Sequence, residues 1–131
     1  MTIVVGYVPT KEGQAALNRA AEEARLRDAK LVVISSTRGG RDLTAEQAQE
    51  MERTLETLGS ELDKADVAHE VRQLVRGNDP AEDLIEVAEK EKAELIVIGL
   101  RRRSPVGKLI LGSNAQRILL DATCPVLAVK P

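Results

Sequence analysis

The chain has 131 residues, 43% of them hydrophobic and 31% charged, which supplies one core of ordinary size and leads us to expect a single domain over residues 1–131. A formal net charge of −2, with no Phe, no Trp and one Tyr, provides neither the basic excess nor the aromatic faces that nucleic-acid binding needs, so that partner class is excluded. One Cys and one His leave no intrachain disulfide and no Cys/His metal cluster; no charged leader precedes the first apolar run, and no apolar stretch nears the ~18 residues of a membrane span, so a cytoplasmic protein without a membrane partner is expected.

Ile3 to Val8 reads as a strand apolar on both faces, as a buried parallel strand must be. Ala16, Leu17, Ala20 and Ala24 follow at helical spacing, and Leu31 to Ile34 is a second apolar run. Thr44 with Gln47 forms a capping-box pair ahead of the stripe Ala48, Met51, Leu55, Leu58 and Leu62. Val67 to Arg76 sets Val71 and Val75 against Glu70 and Arg72, which predicts an edge strand. Asp79 with Glu82, behind Pro80 at the first helical position, opens a third helix bearing Ala81, Leu84, Ile85 and Ala88. Leu95 to Ile98 is another buried run, Ser113 with Gln116 caps a helix bearing Ala115, Ile118, Leu119 and Ala122, and Val126 to Val129 is the last strand. The βαβαβαβαβ order predicts a doubly wound α/β fold, an open sheet of five mostly parallel strands with four helices and right-handed crossovers. An apolar last strand left at a sheet edge needs cover, so a homodimer paired through Val126–Val129 is expected.

In an open parallel sheet, ligands bind beyond the carboxyl ends of the strands where the order reverses. The loop after the fourth strand is the richest in chemistry: Gly99 ends the strand, Gly112 and Ser113 open a helix whose free amides and positive dipole can receive phosphate, and Arg101, Arg102, Arg103 and Lys108 lie between. A solvated basic loop with an ordinary Ser cap is the alternative reading. The spacing is no Walker A loop, because Arg102 stands five positions before Gly107-Lys108, and the dinucleotide pattern G-x-G-x-x-G is absent after the first strand. Neither Asp42 nor Asp79, after the second and third strands, belongs to a recognisable catalytic motif. His69 reads as a structural edge-strand residue and Cys124 as a small hydrophobe. Tyr7 can either border a ligand or fill core space.

Gly99, Gly112 and Ser113 resemble the universal stress protein signature G-x2-G-x9-G-[ST], with Arg102 in the place of the second glycine. The similarity runs along the chain, through Glu12 to Leu17, Arg76-Gly77-Asn78-Asp79-Pro80-Ala81, Ala93 to Gly99 and Cys124-Pro125-Val126-Leu127-Ala128-Val129. The resemblance implies an adenine nucleotide alpha hydrolase-like fold with strand order 3-2-1-4-5, and ATP, with any Mg2+ it carries, held by glycine amides and the final hydroxyl. It also implies an Asp near the end of the first strand, where this chain has Val8. The candidate nucleotide-binding residues are thus Tyr7, Val8, Pro9, Ser35, Ile98, Gly99, Arg102, Arg103, Gly112, Ser113 and Asn114. Val8 and Pro9 offer a base mainly apolar contact, so modest selection among bases is expected. The implied role is a nucleotide-responsive stress regulator; a nucleotide-free homodimeric interaction domain and a weak ATPase are the alternatives.

Overall fold

The computed structural model describes residues 1–37, 44–75, 78–102 and 109–131. In chain order it contains β1 (Thr2–Gly6), α1 (Lys11–Arg27), β2 (Lys30–Thr37), α2 (Ala45–Lys64), β3 (His69–Val75), α3 (Pro80–Lys90), β4 (Leu95–Gly99), β5 (Arg101–Arg102), β6 (Leu109–Ile110), α4 (Ser113–Asp121) and β7 (Val126–Val129). Five strands form one sheet in the order β3-β2-β1-β4-β7, every neighbouring pair parallel. This is the expected 3-2-1-4-5 order, with β7 as its fifth strand. The chain winds outward from β1 to β3 and then returns to the other side of β1, so the order reverses between β1 and β4.

Strand alternation divides the core between the two faces of the sheet. Ile3, Val5, Leu31, Val33, Leu95 and Val97 meet α1 and α2, where Ala16, Leu17, Ala20, Leu55, Leu58 and Leu62 complete one cluster. Val4, Val32, Ile34, Ile96 and Ile98 meet α3 and α4 on the other face, against Ala81, Leu84, Val87 and Ile118. Burying such a side chain stabilises the fold by roughly 1.5–3 kcal/mol. Small alanines in α1 let that helix lie close to the sheet without aromatic filling.

Several boundaries differ from the sequence expectation. β1 stops at Gly6 rather than Val8: the Tyr7 amide still donates to Ile34 O at 2.9 Å, but the Thr10 amide turns back to Val8 O at 2.8 Å. β2 runs on through Ser35, Ser36 and Thr37, which pair with Gln73, Leu74 and Val75, because ladder pairing does not require apolar side chains. β3 is an edge strand, as the alternation implied; Arg76, its expected end, lies outside the described residues. The loop after β4 contains a short antiparallel ribbon, Arg101 opposite Ile110 and Arg102 opposite Leu109, which no local pattern announced.

The caps also differ. Thr44 and Gln47 form both arms of the expected box. Asp79 is the N-cap of α3 but makes no side-chain cap bond, and its carboxylate lies 3.6 Å from Arg117 Nη1 instead. The N-cap of α4 is Gly112, not Ser113, and the Gln116 side chain donates to Leu111 O at 3.1 Å. Leu119, placed in the buried stripe of α4, is 40% exposed, since nine residues of helix bring only Ile118 fully under cover.

At the β3 edge, the Glu70 carboxylate accepts from Arg72 at 2.9 Å and from Lys30 at 3.2 Å, and these bonds hold its pKa down to about 2. A depressed carboxylate stabilises the folded state fully above its unfolded value of 4.5, and that contribution disappears as pH falls toward 2. Glu70 is 40% exposed, so screening limits the effect to about 0.5 kcal/mol. In urea unfolding at low salt, Glu70→Gln should be less stable than the parent at pH 6, and the gap should close between pH 5 and pH 2.

Candidate functional site

The first turn of α1 packs directly against the ends of β1 and β4, and two glycines make that approach possible. A Cβ on Gly13 would lie 1.8 Å from Val8 O, and one on Gly99 would lie 2.2 Å from Glu12 O. Gly13 stands at the third helical position, where its amide donates to Thr10 Oγ1 at 3.2 Å. Thr10 is therefore the cap of α1. Its pattern is hard to recognise because the Glu or Gln of a capping box cannot occupy position 13.

Beside this contact, between the carboxyl ends of β1 and β4, opens a crevice with two adjoining chambers. The first, of about 320 Å³, is bordered by Thr10, Glu12, Gly99, Arg101, Gly112 and Ser113. The first intrahelical bond of α4 runs from the Gln116 amide to Gly112 O at 3.0 Å, so the amides of Ser113, Asn114 and Ala115 precede the helical ladder at its positive end. Their N-cap, Gly112, makes no side-chain cap bond to them. A Cβ on Gly112 would sit 3.5 Å from Arg101 Nη2, which places that guanidinium at the mouth of the same helix. Open amides, a helix terminus and an arginine are the donor set that suits phosphate.

The second chamber is a slot of about 170 Å³ on the α3 and α4 side of the sheet, walled by Ile34, Ala81, Leu84, Ile98 and Ile118. Val8, Gly99, Asn114 and Ala115 border both chambers. The slot is predominantly apolar, but Ser36 interrupts it: its hydroxyl donates to Asp83, a carboxylate on α3 that is 0% exposed. Asn78 Nδ2 donates to the other Asp83 oxygen at 3.3 Å.

The expected site residues divide accordingly. Tyr7, Val8, Ile98, Gly99, Gly112, Ser113 and Asn114 all border one chamber or both. The Tyr7 side chain belongs to the core under α1 and α2, where burial and then the nearby Glu61 charge push its hydroxyl pKa up. Pro9 is exposed beside Val8 and borders neither chamber. Ser35 is 2% exposed and faces away from the slot, which takes Ser36 instead. Arg102 lies in β5; Arg103, Lys108, Gly77 and Asp42 lie outside the described residues. Arg101 and the Ser36–Asp83 pair were not singled out, because three consecutive arginines look alike in sequence and Ser36 meets Asp83 across 47 positions of chain. Among the described residues, no three His, Cys, Asp or Glu side chains gather to hold a metal.

His69 and Cys124 stand apart from the crevice. His69 Nδ1 lies 2.8 Å from Val67 O. Cys124 packs against the cluster under α3 and α4, and burial pushes its thiol pKa up, so reactive thiolate is disfavoured. At Gly99, by contrast, one methyl group cannot fit. We expect Gly99→Ala to force the β4 end and the first turn of α1 apart, lowering stability by about 1–3 kcal/mol in urea unfolding.

Comparisons with known proteins agree with this architecture. Residues 1–130 match the family model described as the universal stress protein family. A universal stress protein of Mycolicibacterium smegmatis is 46% identical over 129 residues, covering 98% of this chain and 97% of that protein. The structure of a universal stress protein from Archaeoglobus fulgidus superposes with a TM-score of 0.86 at 40% identity, covering 99% of this chain and 98% of the other. A universal stress protein structure from the same organism, in complex with dAMP, gives a TM-score of 0.81 at 34% identity, again with 99% and 98% coverage. With the family model matched over residues 1–130 and a relative 46% identical along almost its whole length, the chain belongs to the universal stress protein family.

Proposed function

We propose that the crevice binds ATP or a closely related adenine nucleotide, with the phosphates in the chamber at the α4 N-terminus and the base in the apolar slot. The observation that carries this reading is the uncapped first turn of α4 opening beside Arg101, next to a slot bordered by the same Val8, Gly99 and Asn114. The dAMP complex of the Archaeoglobus fulgidus relative supports a nucleotide as the ligand class. A helix terminus and an arginine favour the more highly charged ligand, so the triphosphate, with any Mg2+ it carries, is the form the chamber suits best.

With recognition as its chemistry, the protein acts as a cytoplasmic stress-response regulator whose bound state alters its contacts with partners. One such contact is a second copy. β7 is the last strand of the sheet, its four residues are half-buried, and its outer edge offers backbone groups for pairing. Light scattering at micromolar concentration should give twice the chain mass; a monomer would remove the β7 pairing from the account.

Calorimetric titration tests the nucleotide reading. Affinity should fall from ATP to ADP to adenosine and weaken as salt rises. Gly112→Val is an informative variant because, among the described residues, the added Cβ meets Arg101 Nη2 at an ordinary 3.5 Å, and the two further methyl groups would crowd the mouth of the helix. It should weaken ATP binding by about tenfold or more, equivalent to about 1.4 kcal/mol. Unchanged affinity in a folded Gly112→Val protein would show that phosphate binds elsewhere.

A further inference from the structure

The slot has a polar group whose proton is already committed. Ser36 continues along β2 the face that carries Val32 and Ile34, so its side chain reaches the α3 side of the sheet and borders the slot. There its hydroxyl donates to Asp83 Oδ2, while Asp83 Oδ1 accepts from Asn78 Nδ2 at 3.3 Å. Asp83 sits in the first turn of α3 with its amide bonded to Asp79 O at 3.2 Å, and it is fully buried. A serine hydroxyl has one proton and two lone pairs, and a carboxylate can only accept. Once the proton is given to Asp83, Ser36 Oγ can present nothing but lone pairs to a ligand.

We infer that Asp83 is a positioning residue that fixes Ser36 Oγ as an acceptor at the slot, so that, at the purine 6-position facing Ser36, the slot selects an amino group, which donates, over an oxo group, which accepts. The inference rests on the reading that a nucleotide occupies the crevice, and it adds a selectivity that Val8, with apolar contact alone, does not supply. A 6-oxo group facing Ser36 would set oxygen against oxygen with no proton between them. Leaving such a pair unmade at a partly buried position costs about tenfold in affinity.

The test is a calorimetric titration of ATP and ITP, which differ in the purine 6-substituent and in the N1 proton that accompanies the oxo group, against the unmodified protein, Ser36→Ala and Asp83→Asn. The unmodified protein should prefer ATP by about tenfold, and Ser36→Ala should bring the ratio close to one. In Asp83→Asn the new carboxamide nitrogen can donate to Ser36 Oγ while its oxygen still accepts from Asn78, which frees the serine proton. The preference should then shift toward ITP, a change that simple loosening of the fold would not produce. Circular dichroism establishes that each variant is folded, and if Asp83→Asn is not, the Ser36→Ala ratio decides. Equal affinities for ATP and ITP in the unmodified protein, or a ratio unmoved by Ser36→Ala, would overturn the inference while leaving the nucleotide reading in place. Binding of neither nucleotide would overturn both.

Discussion

The rest of the site depends on a backbone contact, the seating of the first turn of α1 against the ends of β1 and β4. Val8 O and Glu12 O occupy the space that side chains at positions 13 and 99 would need. This contact sets where α1 begins, which in turn fixes the direction of the Val8 to Thr10 turn and the wall of the phosphate chamber. It is a steric constraint and therefore unforgiving. A lost hydrogen bond can be replaced by water, but an atom 2 Å from a backbone oxygen must displace one chain or the other.

Around that contact the two faces of the sheet serve different ends. The face under α1 and α2 carries the larger buried cluster, and even the single tyrosine is drawn into its core. On the opposite face, the slot is bordered by the early turns of both α3 and α4, through Pro80, Ala81 and Leu84 on one and Asn114, Ala115 and Ile118 on the other. Arg117 on α4 reaches Glu82 on α3 at 2.8 Å and lies 3.6 Å from Asp79, so an ion-pair cluster ties the two helices together next to the slot. That arrangement uses the Asp79 side chain for helix–helix contact instead of capping. The first turn of α4 is the complementary case: its N-cap is Gly112, which makes no side-chain cap bond, and its leading amides lie at the chamber, where an anion can satisfy them.

Much of the fold was legible because its signals are local. Apolar runs long enough for strands alternate with stripes at helical spacing, and the Thr44 and Gln47 pair marks a helix start by chemistry that needs no tertiary partner. The site was legible at its glycines, whose spacing survives in a linear chain. What escaped depends on distance in sequence or on competition between partners. Ser36 acquires its role only because α3 carries Asp83 past it, and polar residues 35 to 37 looked like the end of a strand when cross-strand pairing in fact extends it. Arg101 becomes the arginine at the helix mouth through a ribbon that pairs it with Ile110. Gly112 takes the cap position from Ser113 because the chain enters α4 in an extended conformation at the glycine, with φ −69° and ψ 166°. Thr10 was missed for a related reason, since steric exclusion at Gly13 removed the very residue that would have completed its pattern.

The central claim is that one ligand spans both chambers, phosphates at α4 and base beside Ser36. Amide chemical-shift mapping by NMR during an ATP titration tests this most directly, because it locates the ligand without altering the chain. The account predicts that the amides of Ser113, Asn114 and Ala115 shift together with those of Gly99 and Ser36 along one saturating curve. Shifts confined to the outer faces of α1 and α2, or none at saturating nucleotide, would contradict it.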